Sequence, residues 1–188
     1  MLTDDYEEET GTGFFLKGYG LVTCHHVSKF ATRAFYPNGT IHAVKFIESD
    51  PATDLAILKT DLMPRYELTP KFTDLPIHAG VFLYGFPNYN PGFEGLLQKG
   101  QIIGKRHTFG HGRLIISSRV VEGNSGGPLL DAYGNAVGVA VTGDSSQKTG
   151  YSPSDWAAVP IRYLNNFVSV QARLSEMLVI SGKAEGLE

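Results

Sequence analysis

Gly123-Asn124-Ser125-Gly126-Gly127-Pro128 sets one hydroxyl among three glycines. Glycine reaches backbone conformations closed to other residues, so such a turn can aim main-chain N–H groups at one point and present a serine hydroxyl. A nucleophile and oxyanion donors are two of the three needs of acyl transfer. The third is a base, because serine alone is a poor nucleophile at neutral pH. Two upstream segments offer the missing groups. Thr23-Cys24-His25-His26-Val27 brings two imidazoles after the apolar run 19–22, and Asp50-Pro51-Ala52-Thr53-Asp54 brings two carboxylates ahead of the apolar run 55–58.

These three segments resemble those of trypsin-like serine peptidases. The Thr-x-x-His-Val spacing implies His26 as the base rather than His25, which is expected to be structural. Asp54, directly before Leu55-Ala56-Ile57-Leu58, stands where the family carries its acid, ahead of Asp50. The chain order His, Asp, Ser is that of chymotrypsin-fold enzymes, whereas subtilisins and α/β-hydrolases order the triad differently. The likeness extends further. Gly11-Thr12-Gly13-Phe14-Phe15 is similar to the opening Gly-Ser-Gly-Phe strand of HtrA-type proteases, and VFLYGFP at 81–87 to the strand that opens their second barrel. Gln98-Lys99-Gly100-Gln101-Ile102-Ile103 sits where those enzymes carry a Thr-Gly-Ile-Val strand. Residues 135–141 and 157–161 resemble the strands that wall the specificity pocket, so the resemblance covers about residues 11–162.

The resemblance implies a serine endopeptidase acting on a protein or peptide through an acyl-enzyme. His26 would be general base and then acid, Asp54 would orient it, and the N–H groups of Gly123 and Ser125 would form the oxyanion hole. It implies no cofactor and no metal. Substrate backbone would pair with Val141-Thr142-Gly143. The first specificity pocket would be walled by residues 117–122, 140–143 and 156–159. No aspartate precedes Gly123 there, and Ala140 and Ala157 are small, so an apolar side chain is the expected fit. Arg119 would select an acid if it pointed inward; an outward, solvated position is expected because burying an unpaired guanidinium is costly. Asn124 replaces the acid that receives the new N-terminus in secreted trypsins. That implies regulation by loop ordering, substrate or a partner rather than by trimming.

The elements that must position these groups read mostly as strands. Runs at 13–16, 21–24, 31–36, 40–48 and 55–58 form one set. A second set lies at 81–86, 100–105, 114–117, 128–130, 136–141 and 157–159. Pro37-Asn38-Gly39 is a hairpin signal, because Asn-Gly tolerates positive φ. Many short strands with regular turns suggest a barrel or sandwich. The resemblance selects an all-β fold of two six-stranded antiparallel barrels, chymotrypsin-like, with a C-terminal α-helix. The expected division is an acidic, mobile stretch at 1–10 and a peptidase domain at 11–162. Within that domain the first barrel takes about 11–60, a proline-bearing linker about 61–80, and the second barrel about 81–160. A helix and tail, marked by apolar residues at helical spacing from Ile161 to Leu178, complete the chain at 163–188.

Composition narrows the alternatives. The 188 residues suffice for one substantial core, and 42% hydrophobic with 19% charged residues is ordinary for a globular domain. A net charge of −3 gives no footprint for nucleic acid, and no run is long enough to span a membrane. The single cysteine excludes an internal disulfide framework, and an acidic start unlike a signal peptide points to a cytoplasmic setting. Cys24 itself reads as a small core residue. His42, His78, His107 and His111 lack metal-ligand spacing. No PDZ-like segment is expected after the domain, while a regulatory partner or a fused domain remains compatible with it. Two other readings use the same residues: a pseudoprotease that grips peptides by strand addition without cutting, and a dedicated viral or phage-type processing protease.

Overall fold

Alternating apolar residues and frequent turns build two groups of strands. The computed structural model of the chain describes residues 1–5, 9–36, 39–89, 93–108, 110–141 and 156–169. In the N-terminal half, β1 (Leu2–Thr3), β2 (Thr10–Gly11), β3 (Phe14–Leu16), β4 (Gly20–Thr23), β5 (Arg33–Phe35), β6 (Ile41–Asp50) and β7 (Leu55–Thr60) form one sheet. Their spatial order is β2-β1-β5-β6-β7-β4-β3. A single helical turn, α1 (His25–Ser28), follows β4. In the C-terminal half, β8 (Gly80–Gly85), β9 (Leu96–Thr108), β10 (His111–Ile116), β11 (Pro128–Leu130), β12 (Ala136–Val141) and β13 (Ala157–Pro160) close into a barrel ordered β10-β13-β12-β11-β8-β9.

The second half is thus the six-stranded barrel expected, while the first carries seven strands. The extra pairing comes from the start of the chain. Leu2 pairs with both Gly11 and Ala34, and it is buried. The physical reason is one apolar side chain that reaches the core, with the Thr3 hydroxyl donating to the Glu9 carbonyl at 2.9 Å. The acidic residues beside it mask this contact in the sequence. β5 and β6 pair antiparallel, with Phe35 facing Ile41, and residues 37 and 38 of the hairpin signal lie outside the described residues.

At the other end, the apolar spacing begins not as an α-helix but as a 3-10 helix, Ile161–Asn166. Ile161, Leu164 and Phe167 are all buried. Residues three apart eclipse one another in a 3-10 helix, so this spacing presents one continuous apolar edge. The helix and tail expected at 163–188 otherwise fall mostly outside the described residues.

β12 explains how the halves adhere. Leu129 faces Gly138 but Leu130 faces Ala136, so Val137 is the extra residue of a bulge. The bulge changes the phase of alternation. Val137 and Ala140 join the barrel interior with Val81, Leu83, Ile102 and Leu129. Ala136, Val139 and Val141 turn outward and pack with Leu16, Val22, Val27 and Ile57 of the N-terminal half. Both faces of β12 are therefore buried, which is why it reads as an unbroken apolar run.

The linker is a strap as well. The Leu68 N–H donates to the Phe15 carbonyl at 2.8 Å, and the Leu68 carbonyl accepts from the Lys17 N–H at 2.9 Å. Two residues on, Pro70 bridges Ala136 of β12, flanked by bonds of 2.9 and 2.8 Å from Ala136 to Thr69 and from Lys71 to Ala136. The Lys71 ammonium then donates to Asp131 at 2.9 Å, in the β11–β12 turn. Burial alone would raise the Asp131 carboxyl, but hydrogen bonds from Lys71, from Asn135 and from the Tyr133 N–H hold it at about 2.

An unfolded aspartate titrates near ~3.9, so the unfolded chain binds the extra proton between that value and about 2. The stabilisation is therefore complete above about pH 4 and is lost as pH falls through about 2. Asp131→Asn is expected to lower neutral-pH stability by about 2 kcal/mol and to flatten the acid limb in that window. Denaturant melts from pH 7 to 2 check this; parallel wild-type and variant curves at every pH would contradict it.

Candidate active site

α1 and the turn before β7 bring an imidazole and a carboxylate together. The His26 ring Nδ1 lies 2.8 Å from Oδ2 and 3.1 Å from Oδ1 of Asp54. The His26 main-chain N–H also donates to Asp54 Oδ1 at 3.0 Å, and the His25 N–H donates to the Asp54 carbonyl at 3.2 Å. Asp54 reaches this position with φ of +61°, a left-handed conformation that aspartate tolerates better than most side chains. Asp50 instead closes its own turn, accepting from the Ala52 N–H at 2.9 Å and the Thr53 hydroxyl at 2.7 Å. His25 faces away, its Nδ1 2.8 Å from the Ser49 hydroxyl.

The serine turn is built by backbone geometry. The Asn124 N–H bonds the Val121 carbonyl at 3.0 Å, with Gly123 in the third position at φ +86°. A type II turn demands that sign of φ. A side chain on Gly123 would also strike the Phe86 carbonyl, and one on Gly126 (φ +85°) would strike the Thr12 carbonyl and the Thr23 hydroxyl. The carbonyl of Glu122 accepts from the Asn88 N–H at 3.0 Å. In a trans peptide C=O and N–H point opposite ways, so this bond turns the Gly123 N–H away from Asn88. Gly123 is buried, and among the described residues its N–H meets no acceptor. Buried donors are rarely left without partners.

Thr12 joins the turn to the histidine segment, and sequence reasoning gave it no role beyond its strand. It is wholly buried. Its hydroxyl donates to the Gly123 carbonyl at 2.6 Å and accepts from the Phe86 N–H at 3.2 Å. Its N–H donates to the Ser125 carbonyl at 2.8 Å, and its carbonyl accepts the Thr23 hydroxyl at 2.7 Å. Only the Gly-x-Gly frame around it could have hinted at such crowding.

Cys24 sits beneath the pair. Its thiol donates to the Ala140 carbonyl at 3.2 Å, which also receives the Gly126 N–H at 2.9 Å. Burial first, and then the Asp54 carboxylate, pushes this thiol well above its usual range. The donor atoms of Cys24, His26 and Asp54 lie within 4.8 Å of one another, the one such cluster of metal-ligand types among the described residues. It is a poor metal site, because a ligating thiol must lose its proton and the other two groups already hold each other.

The remaining predicted positions separate. Ala140 lies inside the barrel and Ala157, which pairs with Val141, faces the core between the halves. Val141 is buried, whereas Thr142 and Gly143 fall outside the described residues. Arg119 is exposed, in a cleft that neither alanine lines. Asn124 is fully buried, its amide nitrogen donating to the Arg119 carbonyl at 3.4 Å.

Removing the Thr12 hydroxyl while keeping its shape tests the hub. Thr12→Val leaves a buried N–H and a buried carbonyl unpaired, at about 1–3 kcal/mol each. The thermal midpoint is expected to fall by roughly 5–10 °C. The reactivity of Ser125 towards a fluorophosphonate should drop as Gly123 shifts, and Thr12→Ser should retain most of both. Wild-type melting and reactivity in Thr12→Val would dismiss the hub.

The chain matches the trypsin-like peptidase domain family over residues 11–139. It is 32% identical over 189 residues to Protease Do-like 5, chloroplastic, of Arabidopsis thaliana, covering 86% of this chain and 57% of that one. It is 32% identical over 136 residues to a probable periplasmic serine endoprotease DegP-like of Bartonella henselae, covering 69% of this chain and 27% of the relative. The HtrA-type protease AlgW solved with a decapeptide superposes at TM-score 0.71 and 27% identity, over 86% of this chain and 51% of that one. The Rv3671c protease from M. tuberculosis, active form, shares the fold at TM-score 0.71 and 18% identity, over 89% and 77% of the two chains. The chain thus spans little more than half of the plant relative and about a quarter of the bacterial one. Among the described residues no helix is long and apolar enough to cross a membrane, and the names of these relatives place them in periplasm or chloroplast. A family match over more than half of the sequence, on a fold shared with HtrA-type proteases, shows that this chain belongs to the trypsin-like serine peptidases.

Proposed function

We propose that the chain hydrolyses peptide bonds within proteins or peptides, with Ser125 as nucleophile. The observation that carries this is a histidine already paired with its acid, together with a buried Gly123 N–H that has no acceptor among the described residues. The Ser125 hydroxyl attacks the scissile carbonyl while His26 takes its proton. The Gly123 and Ser125 N–H groups receive the oxyanion, and His26 returns the proton to the leaving amine. Water then repeats the sequence on the acyl-enzyme. Asp54 holds the imidazole by the ring and by the adjoining main chain together, so its orientation is fixed at two points.

The residue before the cut is apolar in this reading. No aspartate lies among residues 117–122, and residues 140–141 and 156–159 carry no charged side chain. Regulation proceeds by loop ordering or a partner. At the position where secreted trypsins pair an acid with a new N-terminus, Asn124 is neutral and already packed against Gly85. An ammonium has nothing to neutralise there.

A fluorophosphonate probe is expected to label the wild-type protein and to leave Ser125→Ala unlabelled. His26→Ala should lower peptide turnover by on the order of 10⁶. Labelling that persists without Ser125, or turnover indifferent to His26, would remove this function.

A further inference from the structure

Beside the oxyanion turn lies a cleft of roughly 280 Å³, lined by Asn88, Gln98, Arg119 and Val121. Its chemistry differs from the apolar wall ascribed to the first pocket: one guanidinium, two carboxamides and no acidic side chain. Among the described residues, Arg33, Lys71, Lys105 and Arg162 each pair with an aspartate, and Arg119 pairs with none. A guanidinium presents a planar fork of donors that matches a carboxylate, and a carboxamide adds further N–H donors. We infer that this cleft receives an aspartate or glutamate side chain of the substrate, on the leaving-group side of the scissile bond.

The side follows from how the serine turn is fastened. On one flank it is laced to β12, by Gly126 N–H to the Ala140 carbonyl at 2.9 Å and Ala140 N–H to the Gly127 carbonyl at 2.8 Å. Substrate ahead of the cut runs along that flank, towards Val141. On the other flank stand Asn88, just past β8, and Gln98 in β9. Asn88 bonds the Glu122 carbonyl, and the Arg119 carbonyl receives the Asn124 amide, so two walls of the cleft are tied to the turn that carries Gly123. Residues after the cut must leave over this second flank. Glu122 is exposed on the same turn but does not line the cleft, and its charge tempers the attraction.

The inference rests on the peptidase reading, and one experiment tells their failures apart. Proteome-derived peptides are digested with wild type and with Arg119→Gln, cut sites are mapped by mass spectrometry, and both proteins are probed with a fluorophosphonate. Asp and Glu are expected on the order of threefold to fivefold above background in the first three positions after the cut, the discrimination of a partly exposed ion pair. Arg119→Gln should lose that enrichment while still labelling at Ser125. Cutting by wild type without acid enrichment, or equal enrichment in Arg119→Gln, overturns the inference and leaves the peptidase standing. Cuts confined to sites just before a free C-terminus would assign the cleft to a terminal carboxylate and overturn the side-chain form. Neither cutting nor labelling by wild type overturns the peptidase reading, and this inference with it.

Discussion

Four hydrogen bonds from one buried threonine hold the catalytic halves in register. Thr12 lies in the N-terminal half but bonds the carbonyls on both sides of Asn124, the N–H of Phe86 just past β8 and the hydroxyl of Thr23. Each partner is a backbone group or a short side chain, so little slack is available. Close packing around Gly126, where even a methyl group would collide with Thr12 and Thr23, removes what remains. Ser125 is thus positioned by the other half of the molecule as much as by its own turn.

The same logic governs the imidazole. A flexible carboxylate could hold a ring nitrogen in several orientations, but Asp54 also receives the main-chain N–H of the same histidine. Its left-handed backbone is the cost of pointing one carboxylate at both groups. Beneath it the thiol of Cys24, kept protonated by burial, shares the Ala140 carbonyl with Gly126. Histidine segment, serine turn and β12 therefore meet at one carbonyl oxygen.

What was legible in the sequence was local. Ser125, His26 and Asp54 sit in short segments whose spacing is dictated by a turn, a helical turn and the start of a strand, so their types and neighbours could be read together. Strand positions such as β11 and β12 were likewise visible as apolar runs between turns. Thr12 was not legible in that way, because its main partner is 111 residues distant and a buried threonine in a strand looks ordinary. Leu2 was hidden by the acidic residues around it, and the split loyalties of β12 depend on a bulge that only the pairing with β11 reveals. Arg119 could be weighed as inward or outward from its chemistry, yet the cleft it lines is assembled from the segment after β8, from β9 and from the turn, which no single segment encodes.

The linker carries a mechanical consequence. Leu68 is paired with β3 of one half and Pro70 with β12 of the other, and two residues cannot span a widening gap. One apolar core also runs through both halves, from Val22 and Ile57 to Val139 and Ile161. The halves therefore behave as a single cooperative unit in unfolding, not as two lobes on a hinge. Any switch that gates this enzyme must act within loops, because swinging the halves apart would break the strap and the shared core at once.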